Sequence, residues 1–438
     1  MNDLIQYARQ RVDEAEMYWR RTQDTTVLYQ NRRLQQISQN RLSAVAVRVI
    51  DHGRIGQSFG ESPARTAVVD EARTASGFGD PASHGFAGAQ TYEAIPETDH
   101  AIPTMASEDL VALCEDVKRE AVSCRPDLAL TIHARAATEY LVIETTEGAQ
   151  AESQTAGLHL SFGAPIQGAG TFVHKSKAAA QAFQAPIDLI HEFLTWYEWT
   201  QNASTPQTGR LPVIFAPEAA FLYVVPLCFG LNGAAVAKET SPIFNRIDEP
   251  VLSEKLTFFD APHLPGSPFS RAFDDEAVPC LHRPLVEEGI LRDFLLDLQS
   301  ASRLRRRPTG NGFKRKLFGS GTEVVASPWP CHIQVRPGTE PIERMIAGLD
   351  EALLVTGGLG FHSGNYSQGQ FAVQAIGFHI RGGQVRGRLE STMISGNIYA
   401  DLLEVEALSR ETRDVPMPMG PAVEAPYMLV ESLAVAGQ

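Results

Sequence analysis

Two adjacent residues, His191 and Glu192, carry the most suggestive chemistry in this 438-residue chain. A zinc peptidase helix needs a second histidine about one turn later, so that two imidazoles hold one ion and the glutamate serves as base. Here the residues at the HExxH and HExxxH positions are Thr195 and Trp196. The pair reads as the polar edge of an amphipathic helix. Of the other histidines, His362 has the most conspicuous setting, the glycine-rich GLGFHSGNYSQGQF. A histidine there is a candidate ligand or substrate contact, or a group that fixes the loop by hydrogen bonding.

Arg303, Arg305, Arg306 and Arg307, with Lys314, Arg315 and Lys316, flank PTGNGF. Such a loop can hold a carboxylate, a phosphate or an acidic partner surface, or can simply be solvated. FDDEAVPC (273–280) concentrates Asp274, Asp275 and Glu276; a charged turn before a strand is the simpler reading, metal binding or acid–base work the sharper one. No phosphate-binding GxxxxGK[ST] and no GxSxG nucleophile elbow occurs. GGLGFHSG misses the third glycine of a dinucleotide fingerprint. The five cysteines form no CxxC and are odd in number, which argues against a disulfide scaffold and a four-cysteine zinc site.

These residues need a scaffold. Lys and Arg number 38 against 52 Asp and Glu, giving a net charge of −14, so non-specific nucleic-acid binding is not expected. The long apolar stretch 211–231 contains Pro and Glu and reads as buried strand and helix rather than a membrane span. The N-terminus carries acids and shows no apolar signal segment, so a cytoplasmic protein is expected. Periodicity predicts helices over 1–13, 64–76, 107–123, 177–201, 340–348 and 397–409. Four or five short strands are expected between 14 and 60, and more over 127–175 and 351–393. STPQTGRLP (204–212) suggests a boundary. The expectation is an α+β chain of two domains. Residues 1–205 form a sheet with flanking helices, and residues 206–438 form a β-rich domain with helices.

The order of the pieces resembles the TldD/PmbA family. AEMYWRR…LQQIS…AVAVRVIDHGRIGQSFGES is similar to its opening strands, FDAPHLPGSPFSRAFDDEAVPC…PTGNGF to its middle, and GLGFHSGNYSQGQFAVQAIGFHI…STMISGNIYADLL to its C-terminal pattern. The resemblance implies a two-domain α+β fold, a dimer, and peptide processing in a closed chamber. In TldD-type members it implies zinc held by HExxxH, in the helix after the first strand of the second domain, plus a C-terminal cysteine. The equivalent stretches here, APEAAFLYVVPLCFG (216–230) and FHSGNYSQGQF, contain no HExxxH, and Cys228 is the one soft donor in the first. This is the PmbA/TldE-type pattern, with the family's GDFS replaced by Gly369-Gln370-Phe371-Ala372 and its DEG by Asp275-Glu276-Ala277.

The resemblance therefore implies a zinc-free subunit, with no catalytic or metal-binding residue of its own, beside a zinc-bearing TldD-like HExxxH partner. It processes unfolded or small peptides and involves no membrane. Gly360, His362, Asn365, Gly369 and Gln370 are expected to face the chamber, and Thr309, Gly310, Asn311 and Gly312 to form a second lining. Arg305, Arg306 and Arg307 would meet a peptide carboxylate or an acidic partner patch. Strand addition by the peptide near 351–380 is a further expectation. The alternatives are a self-sufficient homodimeric peptidase with an atypical metal near His362, Cys228 or His263, and a non-proteolytic peptide-binding or regulatory protein.

Overall fold

The computed structural model describes residues 2–95, 99–166, 170–316, 319–361, 364–416 and 422–437. His362 lies outside them. The first sheet has the order β3-β2-β1-β4-β5-β6 and is antiparallel throughout: β1 (Glu14–Gln30), β2 (Arg33–Asp51), β3 (Arg54–Gly60), β4 (Thr131–Thr145), β5 (Gln150–Pro165) and β6 (Phe172–Ala179). The four or five short strands expected before residue 60 are in fact three, two of them long. The hairpin β1–β2 pairs from Glu14↔Ile50 to Gln30↔Arg33 with one register shift between Leu28 and Tyr29, while β3 covers β2 only from Val45 onward. Before that point β2 is mostly exposed, so nothing there selects an apolar alternation, and the sequence looks broken where the backbone is continuous.

Helices α1 (Asn2–Arg9) and α2 (Ala67–Ser76) bury Leu4, Ile5, Val68 and Ala72 against Val45, Val47 and Val49. Helices α3 (Ser107–Cys124) and α4 (Ile187–Trp199) bury Leu110, Val117, Ile190 and Phe193 against Ile132, Leu160 and Phe162. The helix expected over 177–201 starts only at Ile187: residues up to Ala179 finish β6, paired to β5, and Pro186 precedes the first turn.

The second sheet begins with β7 (Ala203–Ser204) and β8 (Gly209–Phe215). Helices α5 (Phe221–Leu231) and α6 (Gly233–Ala237) follow, then β9 (Phe258–Asp260), β10 (Arg283–Glu287), β11 (Ile290–Leu291) and α7 (Leu298–Leu304). Two small two-stranded ribbons pair β12 (Gly312–Phe313) with β15 (Ser327–Pro328) and β13 (Arg315–Lys316) with β14 (Gly319–Ser320). The chain continues through β16 (His332–Val335), α8 (Ile342–Ala347), β17 (Glu351–Leu359), β18 (Gln370–Arg381), β19 (Val385–Leu389), β20 (Met393–Asn397), α9 (Ile398–Asp401), β21 (Val405–Val415) and β22 (Ala422–Ala436). The helix expected over 397–409 is one turn; from Val405 the chain pairs antiparallel with β22.

Five of these strands close on themselves in the order β22-β8-β17-β18-β20-β22. The alternation is strict where the ring is tightest. Val213, Phe215, Leu353, Val355, Met428 and Val430 join the core around α5, while Ile214, Leu354 and Leu429 join the core shared with α3 and α4. The architecture is α+β, as expected.

The two sheets are fastened by buried charge. Arg48 of β2 donates Nε and Nη2 to the two Glu16 oxygens (2.9 and 2.7 Å) and Nη1 to Glu276 Oε1 (3.0 Å). All three side chains are buried. Beside them Arg20 and Arg271 grip Glu139 from the two halves of the chain (2.6 and 2.7 Å). Against the push of burial, those two guanidinium groups hold the Glu139 carboxyl down at about 2.

Removing one partner of such a set leaves uncompensated buried charge. Arg48→Met is expected to lower unfolding free energy by about 3–5 kcal/mol in urea titration. Adding Glu16→Gln and Glu276→Gln should recover part of that loss; a wild-type midpoint for the single variant would refute the assignment.

Candidate functional site

The acidic turn 274–276 is not a solvated surface feature: Asp274, Asp275 and Glu276 are 0 %, 4 % and 1 % exposed. Asp274 accepts the N–H groups of Glu276 and Val278 (both 2.9 Å) on one oxygen and that of Gly312 (2.7 Å) on the other. Asp275 accepts Lys314 N–H at 2.7 Å, and Glu276 Oε2 accepts Leu298 N–H at the start of α7 (2.8 Å). Burial pushes the Asp274 carboxyl well above the usual range, with the Glu276 charge adding to it. Burial likewise raises Glu276, to about 7, against the pull of Arg48.

This turn grips the TGNG segment. Asn311 is fully buried; its Nδ2 donates to Asp260 Oδ2 (2.7 Å) and Trp329 O (3.1 Å), and its Oδ1 accepts from Thr309 Oγ1 (2.8 Å) and from Arg283. Thr309 Oγ1 also accepts Leu296 N–H at 2.7 Å. Gly310 has φ +72°, and a Cβ there would sit 2.3 Å from Pro279 O; one at Gly312 would sit 2.3 Å from Glu276 Oε2. The expected second lining is therefore a buried joint whose polar atoms are occupied by the protein itself.

The structure does bring together α5 and the glycine-rich loop, the two segments where the resemblance places a TldD-type zinc set. What fills their contact is aromatic. Phe221 packs edge-on against Phe361 (5.0 Å between centroids), Phe361 stacks on Tyr366 (4.2 Å), and Phe229 lies between Tyr366 (6.4 Å) and Trp329 (6.0 Å). Tyr399 is wedged between α5 and Gly369: a Cβ on Gly230 would lie 1.8 Å from its hydroxyl oxygen, and one on Gly369 2.6 Å from its ring. Helix α5 offers Cys228 alone as a soft donor, and burial pushes that thiol up, away from the thiolate a metal needs. The described residues do not fit a zinc ion here. These rings were missed in the sequence, although Phe221 and Phe229 stand two turns apart on one helix face, a legible signal.

Of the predicted chamber residues, Gly360, Asn365 and Gln370 are exposed and Gly369 is buried, at φ +76°. Asn365 accepts Ser367 Oγ (2.8 Å), and Asn397 Nδ2 closes the loop on Gln368 O (2.8 Å). Strand β18 is flanked by β17, β19 and β20, and β17 is paired on both sides over Leu353–Val355; beyond Val355, towards the glycine-rich loop, it has no β8 partner among the described residues. Arg305 and Arg307 are exposed and form no ion pair among the described residues, whereas Arg306 binds Asp293 at 2.7 Å. His191 and Glu192 point apart. His191 bonds Glu120, while Glu192 joins Glu218 in holding the buried Lys175 (both 2.6 Å), whose ammonium sits 3.1 Å over the Trp196 ring. Lys175 shares an inward strand face with Val173, so its burial was readable from the alternation.

Ser267, His332 and Asp414 form a row, with Ser267 Oγ 3.5 Å from His332 Nδ1 and His332 Nε2 3.4 Å from Asp414 Oδ1. Ser267 and His332 are buried, and of the three only Asp414 borders the adjoining cavity of about 400 Å³, so no nucleophile is presented. A cavity of about 420 Å³ on the first sheet, lined by Arg21, Asp24, Arg41 and Tyr140 among others, contains none of the predicted site residues.

The fold is α+β, and among the described residues α5 meets the glycine-rich loop through aromatic rings. Residues 208–437 match the family model described as PmbA/TldA metallopeptidase C-terminal domain, and residues 15–76 that described as PmbA/TldA metallopeptidase domain 1. The chain belongs to the PmbA/TldD family. A zinc metalloprotease TldD homolog of Saccharolobus solfataricus is 25% identical over 211 residues, 48% of this chain and 46% of that protein, so the match spans about half its length. A metalloprotease of Methanothermobacter thermautotrophicus is 23% identical over 94% of this chain and 91% of its own. The structure of TldE from Thermococcus kodakarensis covers 100% of both chains with a TM-score of 0.89 at 22% identity, a likeness of fold.

Two outcomes follow from these environments. Gly310→Ala should cost at least about 2 kcal/mol of stability through backbone strain and the clash at Pro279; unchanged stability with lost peptide binding would instead make the segment a binding surface. Burial, aided by the Glu424 charge, pushes the Asp414 carboxyl from 3.8 up to about 7. The folded chain thus holds a proton that the unfolded chain releases, so this contribution to stability is full below pH ~4 and is lost as pH rises to ~7. Asp414→Asn should flatten that decline in urea midpoints measured across the window; an unchanged slope would count against it.

Proposed function

We propose that this chain is the TldE/PmbA-type subunit, free of the catalytic zinc, of a TldD/TldE-like metallopeptidase that processes unfolded or small peptides. One observation carries the reading: α5 and the glycine-rich loop meet through Phe221, Phe229, Phe361 and Tyr366, where an ion would require imidazole and thiolate donors. The zinc then belongs to an HExxxH partner, and this subunit closes the chamber and grips the peptide. Gly360, Asn365 and Gln370 are exposed at the loop, and among the described residues β17 from Thr356 to Leu359 has one unpaired edge leading into it. An extended peptide can add there through backbone hydrogen bonds that ignore sequence. Arg305 and Arg307 supply exposed cations for a peptide carboxylate or an acidic partner patch. The family membership and the TldE fold support this reading. The burial of Cys228 weighs against a self-sufficient enzyme. No helix among the described residues is long and apolar enough to cross a membrane.

The test mixes the purified chain with a purified HExxxH-bearing family subunit and a denatured protein substrate. Cleavage is expected in the mixture at least tenfold above either subunit alone, and should disappear when the partner, but not this chain, is stripped of metal beforehand. Cleavage by this chain alone would show an enzyme in its own right. A stable complex that cleaves nothing would favour a binding or regulatory protein.

A further inference from the structure

The His191–Glu192 pair leaves a feature that peptide processing does not use. Glu192 turns inward to Lys175, and His191 turns outward to α3. There Glu120 and Cys124 stand four residues apart on one helix face, one turn above the other. A ring nitrogen of His191, a Glu120 carboxylate oxygen and Cys124 Sγ all lie within 4.8 Å of one another, and His191 Nε2 is 2.7 Å from Glu120 Oε1.

We propose that Glu120, Cys124 and His191 form a zinc site that clamps α3 to α4. One thiolate, one imidazole and one carboxylate are the donor types zinc takes, at about 2.0–2.3 Å each. Tetrahedral geometry with those bond lengths places ligand atoms about 3.3–3.6 Å apart, so side-chain movements of about an ångström or two complete the set. Water takes the fourth position.

The surroundings suit a cation. Cys124 ends α3, where unpaired carbonyls turn the helix dipole negative. The neighbouring cations are engaged elsewhere: Lys118 with Glu115, Arg119 with Asp116, and Arg125 with Glu198 and Asp127. Cys124 is exposed, whereas Cys114, Cys228, Cys280 and Cys331 are buried. On binding, the Cys124 S–H bond breaks, its proton goes to solvent, and a Zn–S bond forms. The proton that His191 Nε2 directs at Glu120 passes through solvent to Nδ1, which frees the Nε2 lone pair and the Glu120 oxygen for the ion.

The ion would join two layers. Helix α3 lies on the first sheet, while α4 also packs Trp196 and Trp199 against Phe378 of the second. Zinc that binds the folded form alone raises thermal stability in proportion to the logarithm of its concentration.

The test titrates metal-free protein with cobalt(II) and then zinc(II), with no peptide or partner present, so its outcome is independent of the peptidase reading. One cobalt per chain is expected, with a near-ultraviolet thiolate-to-cobalt absorption band and tetrahedral visible bands that zinc erases. Cys124→Ser should abolish the thiolate band. His191→Ala should weaken binding at least tenfold. Zinc should raise the melting temperature of the wild type and of neither variant. Both residues are exposed, so the metal-free variants should melt like the wild type. The other surface group with spaced ligands, Asp13, Asp51 and His52, has no sulfur and cannot produce the band. Absence of a thiolate band in the wild type, or uptake indifferent to both substitutions, would overturn the proposal.

Discussion

A guanidinium buried between two carboxylates from the two halves of the chain is the constraint on which this structure turns. Arg48 cannot leave water unless its charge is met, and Glu16 on the neighbouring strand meets only part of it. Glu276, 228 residues after Arg48, supplies the rest. Such a set is not a cheap source of stability, because desolvation consumes most of the attraction. What it supplies is a single permitted arrangement: any other docking of the second half on the first sheet strands a buried charge.

The same constraint reaches the candidate site through a chain of contacts. Glu276 caps the first N–H of α7, and its neighbour Asp274 fixes Gly312. Asn311, held next to Gly312, bonds the Trp329 carbonyl. The Trp329 ring meets Phe229 of α5, and Phe229 lies on Tyr366 of the glycine-rich loop. The TGNG segment is thus a joint that sets where the loop and helix meet, while Gly360, Asn365 and Gln370 of the loop stay exposed.

Much of the fold was legible because it follows local periodicity. The helix expected at 107–123 declared itself by Ser107, Glu108 and Asp109 at its start and forms as Ser107–Cys124, and the step from strand 209–215 to an apolar helix was visible in 211–231. The failures share a cause. Val405–Val415 follows a helix turn and carries helix-forming residues, yet a long neighbour in β22 claims its backbone. Three consecutive acids read as surface because their partners, Arg48 and the Gly312 and Lys314 amides, are distant in sequence. Asn311 looked like a ligand contact because a buried amide satisfied on every side cannot be distinguished in sequence from one that waits for a substrate.

Native-state hydrogen exchange measured across both sheets tests most directly the claim that buried charge makes them one unit. Amides of β2 and β4 beside Arg48 and Glu139 should open with the same free energy as those of β8 and β22, equal to that of global unfolding. If the first sheet opened by itself at a free energy more than ~3 kcal/mol lower, the joint would not be what holds the molecule together.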